Sequence, residues 1–210
     1  MSLTLDLARC PGLAAWSRIT GFFAVEEALA MQELVSGLPQ GARVAELGTF
    51  QGRSAVAIAC ALPPGGVLFC VDHFAGAILA PGQPRPPQEA IIRANLDALL
   101  ANLDAFGLRD RVTVLKGRTR DAAGRFAPES LDLLFVDAGH DYASVKADLA
   151  DWYPKLRPGG WLVCDDCVPE WPGVVQAIQE SQLPGGLIAP SLWAHRKPTT
   201  ESLRGDNTIR

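Results

Sequence analysis

The 210-residue chain lacks the features that mark several classes of protein. It has no cluster of basic residues and a net charge of −4, so a nucleic-acid partner has no electrostatic support. No apolar stretch is long enough to span a membrane, and the N-terminus shows no basic segment followed by an apolar core. With 48% hydrophobic and 20% charged residues and no internal repeat, we expect one cytoplasmic, globular domain over residues 1–210.

Cysteine is also scarce. The five cysteines are odd in number and scattered, which argues against a disulfide framework. Cys164 and Cys167 form a C-x-x-C pair, but no second pair of ligands accompanies them, which disfavours a zinc site. Because Cys164 lies in an apolar run, we expect it to pack as a small hydrophobic side chain.

The remaining sequence alternates helical and extended patterns, which predicts an α/β sheet with right-handed crossovers. The patterns predict strands at residues 42–47, 67–71, 112–115, 131–136, 160–164 and 187–195. They predict helices at residues 22–36, 54–62, 88–106, 142–156 and 173–182. In the fourth of these helices Asp148 and Asp151 fall outside the apolar face.

Three further segments stand apart from this pattern. Residues 75–87 hold four prolines and two glycines and predict a long loop, which is either a lid or a surface excursion. Residues 1–20 form an N-terminal extension whose apolar side chains could pack on a second subunit of a homodimer. Residues 197–210 form a polar tail.

Carboxylates at the ends of two apolar runs carry the clearest functional signal. Asp137 ends the run 131–136, and Asp165 and Asp166 end the run 160–164. Parallel strands open their carboxyl ends toward the ligand crevice, so these carboxylates should lie close together. Oxygen ligands suit Mg²⁺, which predicts a metal site. The alternative for Asp165 and Asp166 is a turn with solvated charges.

A glycine-rich turn follows the first predicted strand and opens the next helix. Residues 46–54 read Glu-Leu-Gly-Thr-Phe-Gln-Gly-Arg-Ser, without the glycine spacing of dinucleotide sites or the lysine of a P-loop. Glu46 would repel a pyrophosphate but attract an ammonium or sulfonium group. Asp72, at the end of the second strand, could accept hydrogen bonds from both ribose hydroxyls, or cap the following segment. Together they predict a site for a nucleoside with a cationic tail.

These residues resemble the class I S-adenosylmethionine-dependent methyltransferases. Residues 137–142 read Asp-Ala-Gly-His-Asp-Tyr and resemble the D-G-x-H-x-Y motif of one small family, in register as far as Asp166. The resemblance covers residues 20–195. It implies a Rossmann-like, seven-stranded, mostly parallel sheet with helices on both faces and an antiparallel last strand, of which the patterns above supply six strands.

The resemblance also implies site residues. The cofactor-binding residues would be Glu46, Gly48, Thr49, Phe50, Gly52, Ser54, Asp72, His73, Arg118 and Asp137. In this set Glu46, Gly48 and Ser54 would surround the methionine part of the cofactor, and Asp72 would bind the ribose. Arg118 stands near the adenine, where similar proteins often have a small or acidic residue. His73 could instead simply follow its strand.

The carboxylates are similar to the metal ligands of catechol-type, Mg²⁺-dependent O-methyltransferases. In those enzymes a lysine three residues after the first ligand takes the proton of the acceptor, and here that position holds His140. A divalent cation at Asp137, Asp165 and Asp166 would polarise an acceptor hydroxyl, and His140 would accept its proton. His140 could instead be a structural histidine, and Asp141 is either a competing base or a helix N-cap.

We therefore expect an S-adenosylmethionine-dependent O-methyltransferase that acts on a small hydroxylated molecule with a divalent metal. One alternative keeps the cofactor but methylates nitrogen or oxygen without metal, with His140 as base. Another is a non-catalytic cofactor-binding or interaction protein, because a fold does not determine a function.

Overall fold

The computed structural model describes residues 13–76 and 86–199 of the chain. The strands are β1 (Arg43–Leu47), β2 (Val67–Asp72), β3 (Val112–Lys116), β4 (Leu131–Val136), β5 (Leu156–Cys164), β6 (Gly186–Leu187) and β7 (Trp193–Arg196). The helices are α1 (Leu13–Trp16), α2 (Val25–Ser36), α3 (Arg53–Ala61), α4 (Gln88–Ala105), α5 (Thr119–Ala123), α6 (Tyr142–Trp152) and α7 (Pro172–Ser181).

The strands form one seven-stranded sheet in the order β3-β2-β1-β4-β5-β7-β6. The pairs from β3 through β5 are parallel, and β7 runs antiparallel to both β5 and β6. The predicted fold class is confirmed. The seventh strand arises because the predicted strand 187–195 divides into a hairpin, β6 and β7, in place of one continuous strand.

Both faces of the sheet are covered, as expected for parallel strands joined by crossover helices. Val44 and Leu133 pack in a cluster with α2, α3 and α4, whereas Ala45 and Leu134 pack in a second cluster with α6 and α7. All six residues of β4 are buried, which explains why five of them are apolar and only Asp132 is charged.

Two helix boundaries differ from the sequence patterns by more than one residue. Helix α2 begins at Val25 rather than at residue 22. At this start the carboxylate of Glu27 accepts a hydrogen bond from the Ala24 amide at 2.6 Å. Helix α6 ends at Trp152, and residues 153–155 form a 3₁₀ turn because Pro154 has no amide hydrogen for an α-helical bond. The five-residue helix α5 had no periodic signal.

Three of the four described cysteines, Cys60, Cys70 and Cys164, are buried. Cys164 is 1% exposed and is a free thiol, as predicted. Cys70 and Cys167 are also free, whereas Cys60 is disulfide-bonded, which the scattered spacing did not predict.

Several predictions fall outside the described residues, namely those for residues 1–12, for residues 77–85 of the predicted loop and for the tail from residue 200. Among the helices that the structure describes, none combines the length and apolarity that crossing a membrane requires.

Candidate active site

A cavity of about 1130 Å³ opens at the carboxyl edge of the parallel strands. This is the edge where ligands bind in open α/β sheets, at the point where the strand order reverses between β1 and β4. It is lined by most of the predicted cofactor and metal residues, which are Gly48, Thr49, Phe50, Ser54, Asp72, His73, Arg118, Asp137, His140, Asp165 and Asp166. Glu46 and Gly52, predicted for the same site, do not line it.

Glu46 lies beneath the glycine-rich turn and is fully buried within β1. Its Oε2 accepts hydrogen bonds from the Thr49 hydroxyl at 2.8 Å and the Cys70 thiol at 3.4 Å. Burial raises the pKa of Glu46 to about 7, although contacts with Ser54, Thr49 and Cys70 oppose the shift. The structure therefore places Glu46 where it holds the turn from below rather than where it lines the cavity.

Asp72 organises the same turn from the neighbouring strand. Its Oδ2 accepts the amides of Thr49 at 2.9 Å and Phe50 at 2.7 Å, and its Oδ1 accepts the amide of Phe74 at 2.6 Å. A carboxylate has about four acceptor positions, so Oδ1 can still accept a hydrogen bond from a ligand hydroxyl. Both interpretations of Asp72, as a cap and as a ribose ligand, are compatible with this geometry.

Glycine is required in the turn at two positions. Gly48 has φ +87°, and a Cβ there would come within 1.9 Å of the carbonyl oxygen of Asp137. Gly52 has φ +90°, and a Cβ there would lie 2.5 Å from Cδ1 of Leu99. The first contact brings the turn directly against the end of β4, and the second lets α4 pack on the start of α3.

Three non-glycine residues beside the cavity have left-handed backbone conformations. They are Phe50 (φ 48°), Phe74 (φ 59°) and Asp166 (φ 55°). Such conformations cost on the order of 1–3 kcal/mol for non-glycine residues and concentrate at functional sites. Phe50 and Asp166 also line the cavity, so the strained backbone coincides with the site.

Asp137, His140 and Asp166 form a compact cluster just beyond the ends of β4 and β5. One ligand atom from each residue lies within 4.8 Å of the others. Nε2 of His140 lies 2.9 Å from Oδ2 of Asp166 and 3.7 Å from Oδ1 of Asp137. Neither contact has hydrogen-bond alignment, and Nε2 is buried. Two carboxylate oxygens that converge beside an imidazole nitrogen in this way could hold a divalent cation and leave the imidazole next to it.

The electrostatics of the cluster are strongly coupled. Contacts with Asp137 and Asp166 raise the pKa of His140 to about 10, so the imidazole is protonated at neutral pH when no metal compensates the carboxylates. Burial, together with the charges of Asp165 and Asp166, raises the pKa of Asp137 well above its usual value, while its contact with His140 opposes this. The site concentrates negative charge, and a bound cation would reduce the repulsion among the carboxylates.

Asp165, the third metal ligand expected from the sequence, points to other partners. Its Oδ1 lies 2.5 Å from the hydroxyl of Ser191 and accepts the amide of Asp166 at 2.7 Å. The same hydroxyl lies 2.5 Å from Oε1 of Glu27, so Ser191 bridges α2 and the end of β5. Burial raises the pKa of Asp165 to about 6. Sequence patterns gave no signal for Ser191 or Glu27, because both depend on contacts between distant segments.

Asp141, Trp171 and His195 differ in their surroundings. Asp141 is the N-cap of α6, where its carboxylate accepts the Ser144 amide at 3.0 Å. Trp171 lines the cavity, and its ring lies 4.5 Å from that of His140, centroid to centroid. His195 has two partners that the sequence did not reveal: its Nδ1 lies 2.7 Å from the Pro184 carbonyl and its Nε2 3.0 Å from the Tyr153 hydroxyl. His195 is therefore a structural histidine of β7.

Comparisons with known proteins identify a family and several relatives of this chain. A family model described as a methyltransferase domain matches residues 45–167. Catechol O-methyltransferase B of Danio rerio is 28% identical over 145 residues, which cover 67% of this chain and 48% of that protein. The chain spans about half the length of the curated relatives that it matches.

Two solved structures share the fold. The O-methyltransferase TomG of Streptomyces achromogenes, in complex with S-adenosylmethionine, superposes with a TM-score of 0.64 at 20% identity, covering 91% of this chain and 93% of TomG. An O-methyltransferase of Bacillus cereus in complex with S-adenosylhomocysteine gives a TM-score of 0.63 at 20% identity, covering 89% and 92%. At this identity the likeness is one of fold.

Proposed function

The chain belongs to the methyltransferase-domain family, and we propose that it transfers the methyl group of S-adenosylmethionine to a hydroxyl of a small molecule. The resemblance to class I S-adenosylmethionine-dependent methyltransferases is confirmed at the level of family and fold. The observation that supports the activity best is the cluster of Asp137, His140 and Asp166 in the same cavity as the glycine-rich turn and Asp72.

The cofactor would lie along the carboxyl edge of the sheet. Its ribose would contact Asp72, and its methionine part would follow the turn past Gly48 and Ser54, both of which line the cavity. Gly48 touches the backbone of Asp137, so this course brings the sulfonium methyl group next to the cluster. Alignment of donor and acceptor is the main requirement, because the methyl donor is already reactive.

Asp137 and Asp166 would hold a divalent cation, with Asp165 as the third carboxylate expected from the sequence. Bound there, the cation would lower the pKa of an acceptor hydroxyl and offset the negative charge that keeps His140 protonated. His140, once neutral, would accept the hydroxyl proton. Asp165 lies outside the cluster and contacts Ser191, so it would have to turn to join the ligands. Nε2 of His140 would stay off the cation, because its lone pair is needed to accept the proton.

The metal-independent alternative is less well supported. A base must be unprotonated at the working pH, and the uncompensated carboxylates raise the pKa of His140 to about 10. The non-catalytic alternative leaves the half-buried carboxylates of Asp137 and Asp166, and the strained backbone of Asp166, without a use.

The test begins with the purified protein after treatment with a chelator. Calorimetry with S-adenosylhomocysteine measures the cofactor site, and release of S-adenosylhomocysteine from S-adenosylmethionine measures turnover with a panel of catechols, phenols and sugars, with and without Mg²⁺ or Mn²⁺. We expect cofactor binding in the micromolar range or tighter, and turnover only with metal. Full turnover after metal removal would contradict the metal role, and no binding of S-adenosylhomocysteine would contradict the function.

A further inference from the structure

Helix α4 presents two asparagines and a leucine to the glycine-rich turn. Asn95, Leu99 and Asn102 are spaced by four and three residues, so they share one face of the helix. Leu99 packs against Gly52, where an added Cβ would lie 2.5 Å from its Cδ1. Asn95 is only 4% exposed, although a buried helix face usually carries apolar side chains. The proposed chemistry gives neither asparagine a role.

The carboxamide of Asn95 joins two loops that contribute to the wall of the cavity. Its Nδ2 donates hydrogen bonds to the carbonyl oxygens of Phe74 at 3.0 Å and Gly76 at 2.7 Å. Its Oδ1 accepts a hydrogen bond from Nε2 of Gln51 at 3.0 Å. Two carbonyl oxygens can only accept, which determines the orientation of the carboxamide. One buried side chain therefore connects the glycine-rich turn after β1 with the loop after β2.

Gln51 is held by α4 at its backbone as well as at its side chain. Nδ2 of Asn102 donates a hydrogen bond to the carbonyl oxygen of Gln51 at 2.8 Å, in addition to the bond between Gln51 and Asn95. Gln51 directly follows Phe50, which has a left-handed backbone and lines the cavity. The position of α4 is thereby transmitted to the part of the turn that faces the cavity.

Asn95 and Asp72 hold the same two segments of the chain. Asp72 accepts hydrogen bonds from the amides of residues 49, 50 and 74, whereas Asn95 binds residues 51, 74 and 76. Within these segments Phe50 and Phe74 have φ values of 48° and 59°. Strained conformations of this kind persist only where the surrounding structure determines them. The hydrogen bonds of Asn95 supply part of that determination, from a helix outside the turn.

We propose that Asn95 is a positioning residue for the cofactor, because it holds both loops in the arrangement that presents Asp72 to the ribose. This inference rests on the proposed function. Asn95, Gln51 and Asn102 are not among the described residues that line the cavity. A change of affinity caused by substituting them must therefore pass through the loops. A purely structural role would lower stability and leave the affinity of the folded protein unchanged.

The experiment measures the affinity for S-adenosylhomocysteine by calorimetry in the Asn95→Leu and Gln51→Met variants of the full chain. Asn95→Leu keeps a similar volume and removes all three hydrogen bonds of the carboxamide. Gln51→Met keeps a similar length and removes only the link between Asn95 and the turn. We expect each folded variant to bind S-adenosylhomocysteine about tenfold more weakly than the unmodified protein.

Arg111→Met is the matched control for lost stability. Arg111 donates hydrogen bonds to three carbonyl oxygens at and after the end of α3. It directly precedes β3, at the edge of the sheet opposite the cavity. This variant should lower the free energy of unfolding in urea at least as much as Gln51→Met does, and it should keep the unmodified affinity.

A double-mutant cycle tests whether the effect passes through Asp72. Neighbouring groups that act together give non-additive losses, whereas independent groups give additive ones. In the Asp72→Asn background, Gln51→Met should therefore weaken binding by clearly less than the factor that it causes alone. Additive losses would contradict the proposed role.

The remaining outcomes are distinct. Unchanged affinity in both variants makes the role of Asn95 structural and overturns the proposal, while the proposed function stands. If Asn95→Leu does not fold by circular dichroism, unchanged affinity in Gln51→Met alone overturns it. An equal loss of affinity in Arg111→Met would also overturn it, because affinity would then follow general stability. If the unmodified protein does not bind S-adenosylhomocysteine, the proposed function fails and this proposal fails with it.

Discussion

Gly48 and Asp137 approach so closely that a Cβ on Gly48 would lie 1.9 Å from the carbonyl oxygen of Asp137. This contact joins the glycine-rich turn after β1 to the acidic cluster after β4. The two halves of the proposed site, one for the methyl donor and one for the acceptor, therefore share a backbone contact. A substitution at either residue should therefore shift the backbone of the other.

Gly48→Ala should destabilise the protein and weaken cofactor binding, because it combines strain at φ +87° with a clash against backbone. Gly41→Ala is a suitable control, since Gly41 has φ +73° but nothing within 4 Å of an added Cβ. The conformational strain alone should cost about 1–2 kcal/mol in each variant. Urea unfolding and calorimetry with S-adenosylhomocysteine would measure both effects, and equal losses in the two variants would rule out the clash.

His140→Gln should lower kcat by about 100-fold or more if His140 accepts the proton, while the affinity for S-adenosylhomocysteine stays close to normal. Turnover with saturating Mg²⁺ and acceptor is the measurement. Asp141→Asn is the matched control, because Asp141 caps α6 and its side chain is exposed. It should cost at most about 1 kcal/mol of stability and leave kcat unchanged. A large loss in Asp141→Asn with little loss in His140→Gln would reassign the base.

Asp72→Asn should weaken S-adenosylhomocysteine binding by about 1.5–3 kcal/mol if the carboxylate holds the ribose. Asp72→Ala should in addition destabilise the fold, because the amides of Thr49, Phe50 and Phe74 lose their acceptor. Calorimetry and urea unfolding separate the two losses. Asp97→Asn, at an exposed position of α4, controls for the change in net charge. An affinity that both Asp72 variants retain would move the ribose elsewhere.

Glu46 should make the protein less stable as the pH rises. Its pKa is raised from 4.5 to about 7 in the folded state, so the folded protein holds the proton more tightly than the unfolded chain. The protonated Glu46 therefore adds about 3 kcal/mol to the free energy of unfolding at low pH. This stabilisation is fully present below pH 4.5 and is lost as the pH rises through about 7.

The Glu46→Gln variant tests this dependence. The fall in unfolding free energy between pH 5 and pH 8, measured without cofactor or metal, should be smaller in the variant than in the unmodified protein. Asp137 and Asp165 also have raised pKa values, and their contribution remains in both proteins. Glu33→Gln, at an exposed position of α2, should keep the full dependence. If Glu46→Gln behaves like Glu33→Gln, the burial of Glu46 does not control the titration.

Local patterns predicted much of the fold. The apolar runs before Asp72, Asp137 and Asp165 are strands, and the last two end where their runs end. Strand β2 includes Asp72, and β5 begins at Leu156, four residues before the predicted strand. The division of residues 187–195 into two strands was not predictable, because the hairpin depends on pairing with β5. The start of α2 likewise depends on one carboxylate, that of Glu27, reaching back to an amide.

The sequence by itself determined the α/β class, the order of the elements and the family, since hydrophobic periodicity and short motifs are local properties. It also placed Asp137, His140 and Asp166 at strand ends that meet in a parallel sheet. Only the tertiary structure decided that Glu46 lies beneath the turn, that Asp165 turns to Ser191 and that Asp148 faces the cavity. Burial and hydrogen-bond partners come from segments far apart in the chain, so their effects on charged side chains appear only once the chain has folded.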